Sequence, residues 1–541
     1  MTPRPNSVGR VPLPGPASPP VGRVPSPGDL GDTATPWPST WQICKFGDLI
    51  RVQGGSQPPK SEFIFEPRNG YIQLLQIRDF GEKPVPTFVR KDSVSKFCEK
   101  HDIMIARYGA SLGRILTGKA GAYNVALAKT IFDPTALLSR YVFYYLQSQH
   151  FQTPLAMMSR SAQNGFSEGE LRTFALPLPP LPEQHRIVAK IEELFSELDK
   201  GIENLKHAKA QLAVYRQALL KHAFEGKLTP ERRAAESNGH DPSRGLLARI
   251  RAERRCRWEE KQTQKYHESG QALPKDWRSK YKEPPGPDTP ALRELPEGWA
   301  WASVEQLGDV QLGRQRAPQH HKGDHMRKYL RVANVYEDWI DLTSVYEMNF
   351  TPEEFKTFQL HEGDILLNEG QSLELVGRSA IYRNELPGAC FTNTLVRFRA
   401  YTGLMPVFAQ YYFKSCLANH RFRKLARWTT NIAHLGADRF ADMEFPLPPE
   451  EEQTAIVQLL DAHLSVMNRF DSDIDTNLAK AEALRQSILK KAFSGQLVPQ
   501  DPNDEPASAL LARILAESED KSTRQGMPSK LTVNGATETK V

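Results

Sequence analysis

One stretch of this chain has the residue types and spacing of a phosphate-binding loop. GRILTGKA, Gly113 to Ala120, places four residues between its glycines and follows the second with Lys119, but Ala120 stands where a serine or threonine hydroxyl would hold Mg²⁺. The plainer reading is a glycine turn between strands, which leaves Arg114 and Lys119 available to phosphates. No HExxH zinc helix, nucleophile elbow or glycine-rich dinucleotide fingerprint occurs, nor an NPPY-like tetrapeptide of the kind that holds a flipped adenine. The five cysteines, Cys44, Cys98, Cys256, Cys390 and Cys416, are scattered without close pairing. That points to reduced, mostly buried thiols and away from zinc or disulfides. A large globular chain without a catalytic constellation reads as a binding subunit, with no metal or cofactor of its own.

The elements that would position binding residues come in two copies. LPLPPLPEQHRIV (Leu176 to Val188) returns as FPLPPEEEQTAIV (Phe445 to Val457), and LLKHAFEGKLTP, ending at Pro230, returns as ILKKAFSGQLVP, ending at Pro499; every matched pair is 269 positions apart. SRGLLARIRAE has a counterpart in ASALLARILAE, so the repeat continues past these segments. A repeat this long means two copies of one structural unit.

Each PLPP segment should open a long helix, because proline is tolerated only in a first turn, and Gly226 and Gly495 can end it. About forty residues make a rod of roughly 60 Å. A heptad seam is expected at Ile191, Leu194, Leu198, Gly201, Leu205, Ala208, Leu212, Tyr215 and Leu219, and at Leu460, His463, Met467, Phe470, Ile474, Asn477, Ala481, Leu484 and Ile488. Gly201, His463 and Asn477 would then be seam positions that fix the pairing register. Ahead of each rod, short β-like runs broken by glycines end in a helical stretch: YIQLLQIRDF, HDIMIARYG, AYNVALAKTIF and SRYVFYYLQSQHFQ first, then YLRVANVYED, EGDILLNEG, ACFTNTLVRFRA and VFAQYYFKSCLANHRFRKLA.

Length and composition fit this plan. The 541 residues are 39% hydrophobic and 9% aromatic, enough for several packed domains. No apolar run is long enough to span a membrane and no secretory signal is evident, so a cytoplasmic protein is expected. A net charge of +6 permits nucleic-acid binding without requiring it.

The repeated PLPPxxEQ, the long helix ending in LLKxAFxGxL, the openings near tryptophan (LPEGW in the second copy) and the HDI and GDI turns closely resemble the specificity subunit of type I restriction-modification enzymes. The signature is carried by Pro177, Pro179, Pro180, Glu183, Gln184, Ala223, Phe224, Gly226 and Leu228, and by Pro446, Pro448, Pro449, Glu452, Gln453, Ala492, Phe493, Gly495 and Leu497. The resemblance implies a multidomain α/β (α+β) protein: two mixed α/β target-recognition domains joined by two long helices that form an antiparallel coiled coil. The divisions expected are a disordered proline-rich extension at 1–36, a recognition domain at 37–180, a helical region at 181–230 and a linker with a short helix at 231–294. A second recognition domain at 295–448, a second helical region at 449–500 and a short helix with a tail at 501–541 follow.

It implies, further, a non-catalytic subunit that binds an asymmetric, bipartite site in double-stranded DNA, one half per recognition domain, with the helices setting the separation. Two modification subunits carrying S-adenosylmethionine would dock on it and methylate adenine N6. Restriction subunits using ATP and Mg²⁺ could join them. A chain with fused methyltransferase chemistry lacks the necessary motifs, and a scaffold without DNA specificity would not need divergent duplicate domains. Base and phosphate contacts need donor-rich side chains on loops. On that ground the first domain offers Arg78, Arg107, Tyr108, Arg114, Lys119, Gln163 and Asn164, and the second Arg314, Arg316, Asn334, Asn368, Arg378, Thr430 and Asn431.

Overall fold

Both PLPP segments open a helix of 44 residues, Leu181–Phe224 and Glu450–Phe493. Each ends in the same way: Gly226 (φ +70°) and Gly495 (φ +74°) turn left-handed, and the next amide reaches back five residues, Lys227 N to His222 O and Gln496 N to Lys491 O, both at 2.9 Å. The computed structural model describes residues 37–159, 165–236, 242–429, 431–514 and 516. The expected extension at 1–36 lies outside the described residues. The chain divides into two units, Met1–Gly201 with Ala479–Val541, and Ile202–Leu478. Each unit therefore holds the start of one long helix and the end of the other.

Within each unit the two helices run antiparallel. In the first, Arg485 pairs with Asp199 and lies over the Phe195 ring at 4.3 Å. In the second, Lys209 bridges Asp475 (2.5 Å) and Asp471 (3.7 Å), and Arg216 donates to Asn468 at 2.8 Å. The seam differs from expectation at every second position. Ile191, Leu219, Leu460, Met467, Ala481 and Ile488 are buried, and Leu198, Leu205, Leu212 and Ile474 half-buried. The residues between them that turn inward are Phe195, Ile202, Lys209 and Arg216, and Leu464, Asp471, Leu478 and Arg485, each one place beyond the position expected. Leu194 is only half-buried, while Leu484, Tyr215 and Phe470 are half or more exposed, and Gly201, Ala208, His463 and Asn477 face outward. Those last residues do not set register. Ion pairs fill part of the seam instead, and each is partly exposed and so adds little stability.

In the first unit β1 (Gln42–Lys45), β2 (Ile50–Gly54), β3 (Tyr71–Leu75), β4 (Phe88–Arg90) and β5 (Phe97–Cys98) are followed by β6 (Met104–Ala106), β7 (Ile115–Leu116), β8 (Gly121–Tyr123), β9 (Leu127–Phe132) and β10 (Ala175–Leu178). They form sheets ordered β2-β9-β6-β7, β4-β3-β8-β5 and β1-β10. In the second unit the strands are β11 (Ala300–Ser303), β12 (Gly308–Leu312), β13 (Met326–Leu330), β14 (Tyr346–Asn349), β15 (Ile365–Asn368) and β16 (Gly370–Gln371). They continue as β17 (Ser379–Ile381), β18 (Cys390–Phe391), β19 (Leu395–Ala400), β20 (Arg427–Trp428), β21 (Ala433–His434) and β22 (Glu444–Leu447). Their orders β12-β19-β15-β17 and β11-β22 repeat the first unit, β14-β13-β18 repeats β4-β3-β8 without a counterpart of β5, and β16-β21-β20 is an addition. Topology is duplicated even where the sequences have diverged.

The signature residues hold each unit closed. In the first, the buried carboxylate of Glu183 accepts from Trp41 Nε1 (2.9 Å) and Gln500 Nε2 (2.8 Å), while Gln184 accepts from Leu138 N (2.9 Å) and donates to Ala136 O (3.0 Å). In the second, Glu452 accepts from Trp299 Nε1 (2.8 Å), Thr229 Oγ1 (2.5 Å) and Arg233 Nη1 (2.5 Å), and Gln453 accepts from Met405 N (2.9 Å) and donates to Gly403 O (3.0 Å). A Cβ on Gly226 would lie 2.3 Å from the Pro296 ring, and one on Gly495 2.4 Å from Pro38. Phe493 packs on Tyr141 and Tyr145, as Phe224 does on Phe408 and Tyr412.

The segment expected as a linker with a short helix carries a 27-residue helix, Pro242–Glu268, and is built into the second unit. Leu246 and Ile250 are buried in that unit's core, Arg254 pairs with Glu305 at 2.6 Å, and Trp258 stacks on Trp277. In the first unit Leu510, the counterpart of Leu246, is likewise buried, and Ile514, the counterpart of Ile250, packs half-buried against that unit's core.

Candidate nucleic-acid interface

In the first unit Arg107, Tyr108 and Arg114 share the β6–β7 hairpin, closed at its mouth by Ala106 N to Arg114 O and Gly113 N to Ala106 O, both 2.9 Å. Gly113 has φ +80°, and a Cβ there would meet Gln152 and Leu155 at 2.8 Å, so glycine is required. Arg107 donates to Phe166 O at 3.2 Å and lies against the Tyr108 and Phe166 rings; Tyr108 is exposed. Arg114, exposed, donates to Phe80 O (3.2 Å), Lys119 stands 5.8 Å from the Phe80 ring, and Arg78 donates to Thr87 Oγ1 (3.0 Å). Arg78, Arg114 and Lys119 therefore gather around the turn Ile77–Phe80. The buried Asp79 within it is pushed up by desolvation, against the pull of Arg78 and Lys119. Gln163 and Asn164 lie outside the described residues.

The Walker-like stretch is not a phosphate loop. It contains strand β7, and its second turn is tied down by Gly118 N to Lys100 O at 2.8 Å. No helix follows to point its amides at a phosphate.

The second unit carries an equivalent hairpin, β15–β17, closed by Asn368 N to Arg378 O and Gly377 N to Asn368 O, both 2.9 Å, with Gly377 at φ +81° against the Phe422 ring. Arg378 occupies the place of Arg114. Its guanidinium lies 4.6 Å from the Tyr336 ring centre, and Tyr336 stacks on the half-exposed Trp339 at 4.5 Å and 15°. The hairpin Arg427–His434 pairs through β21 with β16, which brings exposed Asn431, Trp428 and Ile432 to the same hairpin. Arg316 is exposed beside the Tyr329 ring. Thr430 lies outside the described residues.

Three expected contacts are turned inward. Arg314, 7% exposed, is held by Glu354, Asn349 O and His320. Asn334, 2% exposed, accepts from Arg331 N and donates to Asp341 O and Ser344 O; it caps its turn as Asp79 does in the first unit. Asn368 is buried and donates to Val335 O. None of the three offers its side chain to a groove. Sequence reasoning passed over Tyr336, Trp339 and Trp428, although two aromatics flanking the turn NVYEDW were a legible sign of a stacking surface.

Exposed donors on rigid hairpins beside aromatic faces suit acceptor-rich partners, phosphates and purine edges above all. Four of the five cysteines are buried, and desolvation pushes Cys44, Cys390 and Cys416 up to about 12 and Cys98 to about 11, which makes them poor nucleophiles. Among the described residues no group of three or more His, Cys, Asp or Glu is placed to hold a metal ion, and no helix is long and apolar enough to cross a membrane.

Known proteins share this plan. The family model for the type I restriction modification DNA specificity domain matches residues 38–207 and 296–477. The type I restriction enzyme EcoKI specificity subunit of Escherichia coli (strain K12) is 21% identical over 504 residues, 89% of this chain and 96% of that protein. The StySPI specificity subunit of Salmonella potsdam is 26% identical over 508 residues, again 89% of this chain and 96% of that protein. A chain solved in work on complex assembly and conformational transition of the type I R-M system aligns at 17% identity with a TM-score of 0.57, over 85% of this chain and 99% of its own length. At that identity the likeness is one of fold.

Proposed function

The chain belongs to the type I restriction-modification DNA specificity family, and from that premise we propose that it is the non-catalytic subunit that selects the DNA sequence for such an enzyme, each unit reading one half of an asymmetric, bipartite site. The observation that carries this reading is the duplicated frame: two units that share the order of the four-stranded hairpin sheet and the same hairpin register, but carry different side chains at the hairpins. Identical half-sites would call for identical readers. Two short readings become one specific site only at a fixed separation. The two equal helices, each about 66 Å long at 1.5 Å per residue, are the elements suited to fix it.

The partners we assign are double-stranded DNA, two modification subunits that bring S-adenosylmethionine and methylate adenine N6, and restriction subunits that use ATP and Mg²⁺. The chain itself contributes binding and positioning. Selection of duplexes from a random pool by the complex of this chain with its modification subunit tests the reading. Two enriched blocks at one fixed gap are expected; a single block, or a palindrome, would refute the two-reader arrangement.

A further inference from the structure

Arg378 is a cation without an anion. Its side chain makes no hydrogen bond or ion pair among the described residues, and its Nε is buried without a partner. Glu337, the acid close enough to favour its charge, is engaged by Lys414 at 3.7 Å. Burial correspondingly lowers the guanidinium's proton affinity. What holds it is the Tyr336 face, itself stacked on Trp339. The free protein thus carries a partly desolvated guanidinium, fixed in direction and lacking the acceptors it is built to bind.

Resting on the two-reader function above, we propose that Arg378 and Arg114 are equivalent base-reading residues, each taking the N7 and O6 acceptors of one guanine in its own half-site, with Tyr336 and Trp339 as the shelf that aims Arg378. The equivalence is in the backbone: both arginines follow a left-handed glycine that a Cβ could not replace, and both carbonyls close the same hairpin mouth. Both side chains lean on the segment that follows the equivalent strands β3 and β13, Arg114 at Phe80 and Arg378 at Tyr336. Guanine follows from donor chemistry. A guanidinium has only donors, and among the major-groove edges only guanine presents two adjacent acceptors; adenine pairs one acceptor with a donor, thymine offers one acceptor beside a methyl, and cytosine offers a donor. Tyr336 is a positioning residue, acting through Arg378.

The test is duplex selection and salt titration with the assembled complex carrying Arg378→Gln, Arg114→Gln, Arg378→Lys or Arg114→Lys. Lysine keeps the charge and the stem but loses the fork, so folding and phosphate attraction are retained. The expected result is a loss of guanine preference, roughly 5- to 150-fold in the glutamine variants and smaller in the lysine variants, whose ammonium still donates to guanine, at one base pair of one block for Arg378 and at one base pair of the other block for Arg114. Tyr336→Leu should weaken preference at the Arg378 base pair alone, and Tyr336→Phe should restore it. Uniform weakening across all sequences, with the log–log salt slope reduced by about one in Arg378→Gln, would mark a phosphate contact and overturn the proposal. So would unchanged preferences, or changes by both arginines in one block. Absence of any two-block motif with the native chain would overturn the underlying reading, and is distinguishable because it needs no variant.

Discussion

Glu183 and Glu452 occupy the same place in the two repeats yet should respond differently to loss of charge. Glu183 meets two neutral donors, the Trp41 indole and the Gln500 amide. Glu452 meets the Trp299 indole, the Thr229 hydroxyl and the Arg233 guanidinium, which is 19% exposed. In Glu183→Gln an amide oxygen still accepts both hydrogen bonds, so the cost should be within about 1 kcal/mol. Glu452→Gln takes the counter-charge from a mostly buried arginine, which keeps Thr229 Oγ1 and Gly226 O, and puts an amide nitrogen at one of the two oxygens that accept here, at about 2–3 kcal/mol after allowing for partial exposure. Glu183→Ala leaves the buried Trp41 indole unmet, while the half-buried Gln500 amide keeps Gly495 O, costing about 1–3 kcal/mol.

Glu183 should also respond to pH. Burial raises Glu183 above the ordinary carboxylate range, so the folded state holds that proton more tightly than the unfolded state. The associated stability is complete at low pH and is lost as pH rises through the raised value; Glu183→Gln cannot ionise and should gain on the native chain over that interval. Hydrogen exchange of peptides at the two helix starts, 183–195 and 452–464, reads each site separately. Equal losses at both sites in the two glutamine variants would refute the reasoning.

The seam register predicts that Met467→Lys, which buries an ammonium at a 3% exposed site, destabilises by more than about 3 kcal/mol, while Phe470→Lys at a 56% exposed site changes stability by less than about 0.5 kcal/mol in urea unfolding. Comparable destabilisation by both substitutions would restore the seam expected from the heptad spacing. Phe493→Ala, which empties the space between Tyr141 and Tyr145, should cost about 3–5 kcal/mol in the first unit, seen as faster exchange of its helix 139–147 and unaltered exchange of 406–418. Removing one matched heptad from both long helices should shorten the preferred gap between half-sites by about 10 Å, roughly three base pairs. An unchanged gap in duplex selection would remove the helices from that role.

Much of the frame was legible because its signals are local. Prolines open the two long helices and left-handed glycines end them, and the strand runs of both units fall where alternating apolar residues and glycines placed them. The seam was half legible. Leu194 and Phe195 are both apolar, so steps of three then four and of four then three satisfy the same count, and the inward positions Lys209, Arg216, Asp471 and Arg485 are polar and invisible to apolar periodicity. Long-range hydrogen bonds were not legible: Arg314 is committed to Asn349 and Glu354, some 35 and 40 positions away, and Asn334 to a cap that resembles an exposed loop in sequence. The interval 231–294 read as a linker because its charges dominate, whereas its apolar residues Leu246 and Ile250 lock it to the second unit. The EQ pairs were read as a family mark, and the structure gives them a physical task in closing each unit.

This chain alone is expected to decide which sequence is modified. Mapping N6-methyladenine across the genome of a host that expresses the chain with its modification subunit, with and without this chain, tests it most directly. A single asymmetric motif of two blocks at a fixed gap, methylated in both blocks and lost entirely when the chain is removed, is the expected result. Persistence of the motif without the chain, or an assembled complex that methylates no defined motif, would contradict it.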